Sequence, residues 1–186
     1  ILFFIFPLFQ TIGYSFTDYN GINPRKEFTG LTNYVDVFQD KWFYNSMLFT
    51  GKSVILMILL ANVLGFLLAL ALNTKIKSRN ILRAIVFCPF VFNNVTVGFI
   101  WQFLLGRFMT DLYPLTGWKV FNIGWLSDSS LVLYSVVFVK LWQSIGYFMV
   151  IYLAGLQLLP QDPLEAAVLD GCTGIKMIRY ITIPLM

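Results

Sequence analysis

The sequence contains no histidine and only two cysteines. Without imidazole there is no material for His-dependent catalysis. Cys88 in an apolar stretch and Cys172 in a polar loop form neither a metal-ligating cluster nor a disulfide framework. No close-set group of carboxylates replaces them, so catalytic residues and metal ligands are expected to be absent and no cofactor is expected on this chain. Charge is scarce as well, at 12% of residues against 58% hydrophobic. A soluble domain of 186 residues could not hide that much apolar surface in one core, and a lipid solvent is the simpler reading. The net charge of +4 invites a nucleic-acid partner, but much of the excess sits in one run, Lys75, Lys77, Arg79 and Arg83, between apolar segments. Membrane topology accounts for that run, and no nucleic acid is expected as partner.

Three segments are apolar over about the 20 residues that a helix needs to cross a bilayer core: residues 53–72 and 84–105, which carry no charge, and 131–156, which carries only Lys140. Residues 1–16 read as the tail of an earlier span. The chain opens on an apolar stretch without Met or a basic region and closes as a new apolar segment begins, so it is expected to be one transmembrane domain truncated at both ends. Inside lipid, unpaired backbone groups have no water to bond, so the spans must be helical; the expected fold class is all-α, a polytopic transmembrane bundle. The unopposed basic run between residues 73 and 83 predicts a cytoplasmic loop. Residues 17–52 and 106–130 are then outside and residues 157–184 inside, with Trp42, Trp101, Trp118 and Trp125 at or near the outer interface.

The inner loop has its own local logic. Pro160 closes the preceding span, and Asp162 is a good N-cap with Pro163 at the first helical position. Glu165, three residues after the cap, is placed to return to its backbone N–H. A short helix is predicted, with Leu164, Ala167 and Val168 on one face and Gly171 taking the left-handed conformation that ends it.

Glu165-Ala166-Ala167, Gly171, Ile181 and Pro184 together resemble the EAA loop of ABC importer permeases, and Asp170-Gly171 before Ile181-Thr182-Ile183-Pro184-Leu185 is similar to the sugar-permease branch. Gly30-Leu31-Thr32-Asn33-Tyr34, Arg83 with Pro89 and Trp101, and Ala154-Gly155-Leu156-Gln157 agree with it as well. Cys172, Ile178 and Ile183 depart from the common pattern but stay small or apolar. The resemblance implies the type I importer permease fold and a multi-pass place in a bacterial or archaeal cytoplasmic membrane. It implies ABC ATPase subunits that bind ATP and Mg, a second permease subunit of different sequence, and an extracytoplasmic solute-binding protein. The chain would then be a transport subunit rather than an enzyme, docking the ATPase through Glu165, Ala166, Ala167, Asp170 and Gly171, with a sugar or oligosaccharide as solute. A permease for a phosphodiester or peptide, or a secondary transporter driven by an ion gradient, are the competing readings.

Within the spans, Lys140 is the one charge, and at a span centre it costs about 2.5–3.5 kcal/mol. The apolar residues of its own span return roughly 4–7 kcal/mol, so insertion survives. Lys140, Gln143, Ser144 and Tyr147 share a helical face and are candidates to border a translocation path; Lys140 snorkelling outward or pairing with a neighbouring carbonyl is the other reading. Asn93 and Asn94, a turn beyond Pro89, are either path-lining or interhelical hydrogen-bond glue, and Pro89 is expected to bend its span near Cys88.

Overall fold

The computed structural model describes residues 2–22, 26–74 and 76–186. Lys75, counted above in the basic run, lies outside the described residues. Among these, secondary structure is helical, with no strand beyond an isolated bridge between Thr17 and Phe28. The chain divides into two compact units, Ile1–Lys52 and Ser53–Met186.

In the first unit, helix α1 (Leu2–Ser15) is followed by a turn-back in which Asp18 donates its N–H to Glu27 (3.1 Å) and Thr29 to Phe16 (2.9 Å). Helix α2 (Thr32–Gln39) then brings Asn33 under the end of α1, where its amide donates to the carbonyls of Ser15 (2.9 Å) and Thr17 (2.8 Å). The Tyr34 hydroxyl meets Ser15 Oγ at 2.6 Å. One side chain thus satisfies the Ser15 carbonyl, which the last turn of α1 leaves without a helical partner, and the Thr17 carbonyl just beyond it. The predicted outer loop is therefore largely structured: it holds α2 and the first turns of helix α3 (Lys41–Leu72), which begins well before the apolar segment at Ser53.

The second unit is held by close approach of small residues. Ala61, Gly65 and Ala69 form a buried stripe at every fourth position of α3. A Cβ on Gly65 would meet Phe148 Cβ at 2.7 Å, so the glycine lets helix α7 (Val132–Leu158) lie against α3. Gly146 of α7 is tighter still. A Cβ there would run into the backbone of Val86 and Phe87 in helix α4 (Arg79–Val91). Lipid tails are as apolar as leucine, so membrane helices associate through this kind of packing rather than by expelling water. Next to these contacts Ala69, Leu72, Met149, Leu153, Leu156 and Leu159 form the core. Arg83 closes the turn between α3 and α4 by donating Nη2 to the Leu72 carbonyl at 2.7 Å, a cation at a helix C-terminus.

Residues 84–105, expected as one span, are bent by 94° between α4 and the helical stretch Asn94–Thr116, which opens with α5 (Asn94–Gln102). The bend lies at Phe92–Asn93 and not near Cys88, because α4 continues through Pro89 to Val91. Proline removes one hydrogen bond, but here two consecutive extended residues turn the chain, Phe92 (ψ 139°) and Asn93 (ψ 140°). The Asn93 side chain then accepts the Val95 N–H at 2.8 Å and starts α5. A π-helical stretch, Phe103–Phe108, leads into α6 (Met109–Thr116), so the predicted outer loop after residue 105 also begins as helix. By length and apolarity α3 and α7 can each cross a membrane, and the bent pair makes a third span if counted as one.

Candidate functional site

Two groups of the predicted site residues come together, one at the broken span and one in the inner loop. At the break, the carbonyl of Phe92 has lost its helical partner and is met by the amide of Gln143, donating Nε2 at 3.1 Å from α7. Gln143 is buried, so this bond replaces water that the membrane interior cannot supply. Lys140, one turn before Gln143, donates Nζ to Asn94 Oδ1 at 3.3 Å, while its stem lines a small apolar cavity of about 170 Å³ between α3 and α7. Tyr147, one turn after Gln143, stacks on Phe90 of α4 with ring centroids 5.0 Å apart. Four predicted path residues, Lys140, Gln143, Tyr147 and Asn94, therefore face the broken span from one side or the other.

The remaining two behave differently. Ser144 donates Oγ to the carbonyl of Lys140 in its own helix (2.7 Å), and Asn93 is occupied as the cap of α5. Phe92 contributes a carbonyl that no side-chain pattern signals. Asn62 donates to Ile58 (2.7 Å) and accepts from the Tyr152 hydroxyl, tying α3 to α7.

In the loop, helix α8 spans Gln161–Leu169 and starts two residues earlier than expected, at Gln161 rather than Pro163. Its N-cap is Pro160, in extended conformation, and no side chain bonds to the cap; Asp162 is inside the first turn and Glu165 closes no capping box. The reason is that Pro163 occupies the third helical position, where an amide has no intrahelical acceptor and its absence costs nothing. Asp162 still places negative charge beside the positive end of the helix.

The other end follows the expectation closely. Asp170 is the C-cap and Gly171 has φ +76°. Gly171 donates its N–H to Val168 at 3.0 Å and Cys172 donates to Ala167 at 2.8 Å, the paired bonds of a Schellman turn. A second left-handed glycine, Gly174 (φ +59°), follows three residues later and was not anticipated.

Helix α8 is seated by Leu164, packed on the core of α3 and α7, and by buried Ala167. Val168, expected on the same face, is instead exposed. Of the five predicted docking residues, Glu165, Ala166, Asp170 and Gly171 are exposed and Ala167 is turned inward. An open groove of about 460 Å³ runs along α8, lined by Gln161, Leu164, Glu165, Val168, Leu169 and Met177.

Residues 61–186 match the family described as binding-protein-dependent transport system inner membrane component. The chain is 36% identical, over its whole length and 63% of the relative's, to the probable starch degradation products transport system permease protein AmyD of Thermoanaerobacterium thermosulfurigenes. It is 31% identical, over its whole length and 64% of the relative's, to the multiple sugar-binding transport system permease protein MsmF of Streptococcus mutans. It thus spans a little under two thirds of these relatives. A solved chain of a bacterial alginate ABC transporter, in complex with an alginate pentasaccharide-bound periplasmic protein, shares the fold with a TM-score of 0.79 over 99% of this chain and 62% of that one, at 22% identity.

Proposed function

The chain belongs to the family of binding-protein-dependent transport system inner membrane components, and from that premise we propose that it is the permease part of an ATP-driven importer of a sugar or oligosaccharide. The observation that carries the proposal is the seating of α8: an exposed helix whose inner side, Leu164, packs on the core formed by α3 and α7. Displacing this helix from the cytoplasm displaces residues that meet both membrane helices. In the proposed mechanism an ATPase subunit holds the exposed side of α8 through Glu165, Ala166, Asp170 and Gly171, with Ala167 setting the depth of the helix. ATP and Mg are bound and hydrolysed on that partner. Its closure is passed through Leu164 to α7 and thence to the broken span, where Lys140, Gln143, Tyr147, Asn94 and, by position, Ser144 and Asn93 border the solute's path.

The names of the sugar-permease relatives support the solute class, and the binding-protein-dependent family supports a partner that delivers it outside the membrane. A second permease subunit completes the path in this reading, and the basic run at residues 75–83 supports a cytoplasmic side for α8 in a bacterial or archaeal cytoplasmic membrane. The test is uptake into vesicles holding the full-length permease and its partners. Uptake that requires ATP and survives an uncoupler is the expected result; uptake that persists without ATP and collapses with the ion gradient assigns the chain to secondary transport instead.

A further inference from the structure

Helix α4 is held at two places by two different helices. Near its start, Arg83 donates Nη2 to the carbonyl of Leu72, the last residue of α3, at 2.7 Å. That is the length of a charge-assisted bond, and its acceptor lies at the negative end of a helix. The Nε of the same guanidinium is buried, so the group is held against the protein instead of turning to solvent. Lys77 and Arg79, in the same basic run, are exposed, whereas Arg83 is half-buried and aims its charge at α3. Further along, α4 lies on α7: the backbone of Val86 and Phe87 meets Gly146, and the ring of Phe90 stacks on Tyr147. Leu72 of α3 and Met149, Leu153 and Leu156 of α7 share one core, on which Leu164 of α8 packs. The helix that α8 meets through Leu72 and the helix that it meets through Leu156 are therefore the two that hold α4.

We propose that Arg83 is a positioning residue of the transport cycle: it pins the start of α4 to α3, so that α4 acts as a lever between α3 and α7. This rests on the reading of α8 as the helix that an ATPase subunit grips. Phe92 lies nine residues beyond Arg83, about 14 Å along the helix. The close contact at Gly146 falls between them. A displacement of α8 that shifts the end of α3 against α7 then turns α4 about that contact, and the pinned end and the break at Phe92–Asn93 move in opposite senses. Carried by α7 alone, α4 would ride with it as one body, and the bonds from Gln143 to Phe92 and from Lys140 to Asn94 would keep their lengths. With its start pinned, the same displacement strains those bonds, which are the ones that hold the break. The pin needs a donor on a long stem. Methionine keeps apolar bulk and loses the donor, whereas lysine keeps a single charged donor without the fork.

The experiment uses the full-length permease with its second permease and ATPase subunits in lipid nanodiscs, with Cys88 and Cys172 changed to Ser. One cysteine is placed either at Phe92, on the break, or at Ile151, an exposed position of α7. The probe is N-ethylmaleimide, with and without the non-hydrolysable ATP analogue AMP-PNP and Mg. With Arg83 in place, the nucleotide should change the labelling rate at both positions by about fivefold or more, the lower end of ordinary coupling between sites. Arg83→Met should bring the response at position 92 below about twofold and leave that at 151, and the content of ATPase subunits, unchanged. Arg83→Lys should keep part of the response at 92. A full response at 92 in Arg83→Met overturns the proposal, because α7 then carries the break unaided. Loss of both responses together also overturns it, since Arg83 then supports the whole assembly and not α4 in particular. If the protein with Arg83 responds at neither position, the reading of α8 as the ATPase grip falls, and the lever falls with it.

Discussion

The loop around α8 and the break between α4 and α5 solve the same problem in opposite ways. Each must end one helix and redirect the chain without leaving backbone groups unpaired. The loop does it within a few residues: Gly171 takes φ +76°, its own amide closes the carbonyl of Val168 and that of Cys172 closes Ala167. The break needs help from far along the chain, with Gln143 donating to Phe92 across 51 positions and Lys140 to Asn94 across 46. A terminus that carries its own partners can move as a unit when something grips it. One whose partners belong to another helix moves only with that helix or by breaking the bonds.

The largest expected effect comes from pulling the break away from α7. Gly146→Ala puts a methyl into the backbone of Val86 and Phe87, which cannot give way as a flexible side chain does, and overpacking of this kind costs about 1–3 kcal/mol. Thermal unfolding of the purified complex should move to lower temperature, whereas Gly155→Ala, which meets only the mobile end of Met186, should be mild. Equal effects would mean that α4 and α7 are not joined at Gly146.

Next, Gly171→Ala should cost about 1–2 kcal/mol through its left-handed backbone alone, because nothing stands within 4 Å of the added methyl. Gly171→Asn should recover most of the loss, since asparagine tolerates that conformation. ATPase retention by the purified permease reads both; an Asn variant as poor as Ala would show that the surface of Gly171, not its φ, is what matters.

Gln143→Leu keeps the bulk and removes the donor to Phe92. Hydrogen bonds between membrane helices average about 0.6 kcal/mol and reach about 1.7, so stability should fall by less than at Gly146. Faster thiol labelling of a Cys placed at Phe92 is the expected sign of a loosened break. Unchanged labelling would make the break as self-sufficient as the loop.

Smaller again, Asp162→Ala should cost about 0.3–1 kcal/mol, the worth of a carboxylate beside a helix N-terminus, and high salt should erase the difference. A salt-independent loss would restore the side-chain cap that the geometry denies.

The smallest effect is a control for local termini in general. The carboxyl of exposed Asp128 is held below its ordinary range first by the Ser130 hydroxyl and then by the Ser130 N–H, at the start of α7. Because the folded form has the depressed pKa, its contribution is present above the ordinary carboxylate range and is lost as pH falls through the folded value. Amide exchange at Ser130 should therefore quicken with acid beyond the intrinsic rate, and Asp128→Asn should remove that extra dependence.

The same contrast explains what could be read from residues alone. Gly171 was legible because a helix-ending glycine announces its conformation, and the apolar runs announced α3 and α7. The bend position was not, because Pro89 is conspicuous in the sequence while the partner that stabilises the turn, Gln143, is remote from it. Asp162 misled for a related reason: Asp-Pro is a strong local start signal, yet Pro160 and the packing of Leu164 placed the start earlier. The positive φ of Gly174 is not legible in the sequence because nothing nearby marks a second reversal. Arg83 was noticed as charge for topology, whereas its bond to the Leu72 carbonyl depends on how two helices meet.

Helix α3 also works as a ruler. Its apolar part, Ser53–Leu72, is 20 residues, which at 1.5 Å each matches the roughly 30 Å hydrocarbon thickness. The helix begins 12 residues earlier, at Lys41, and those add about 18 Å, more than the headgroup layer on one side can cover. In the proposed orientation, with the basic run cytoplasmic, the first turns of α3 lie on the outer side of the hydrocarbon layer. In the proposed importer, the binding protein that delivers solute from outside meets those turns before it meets the lipid.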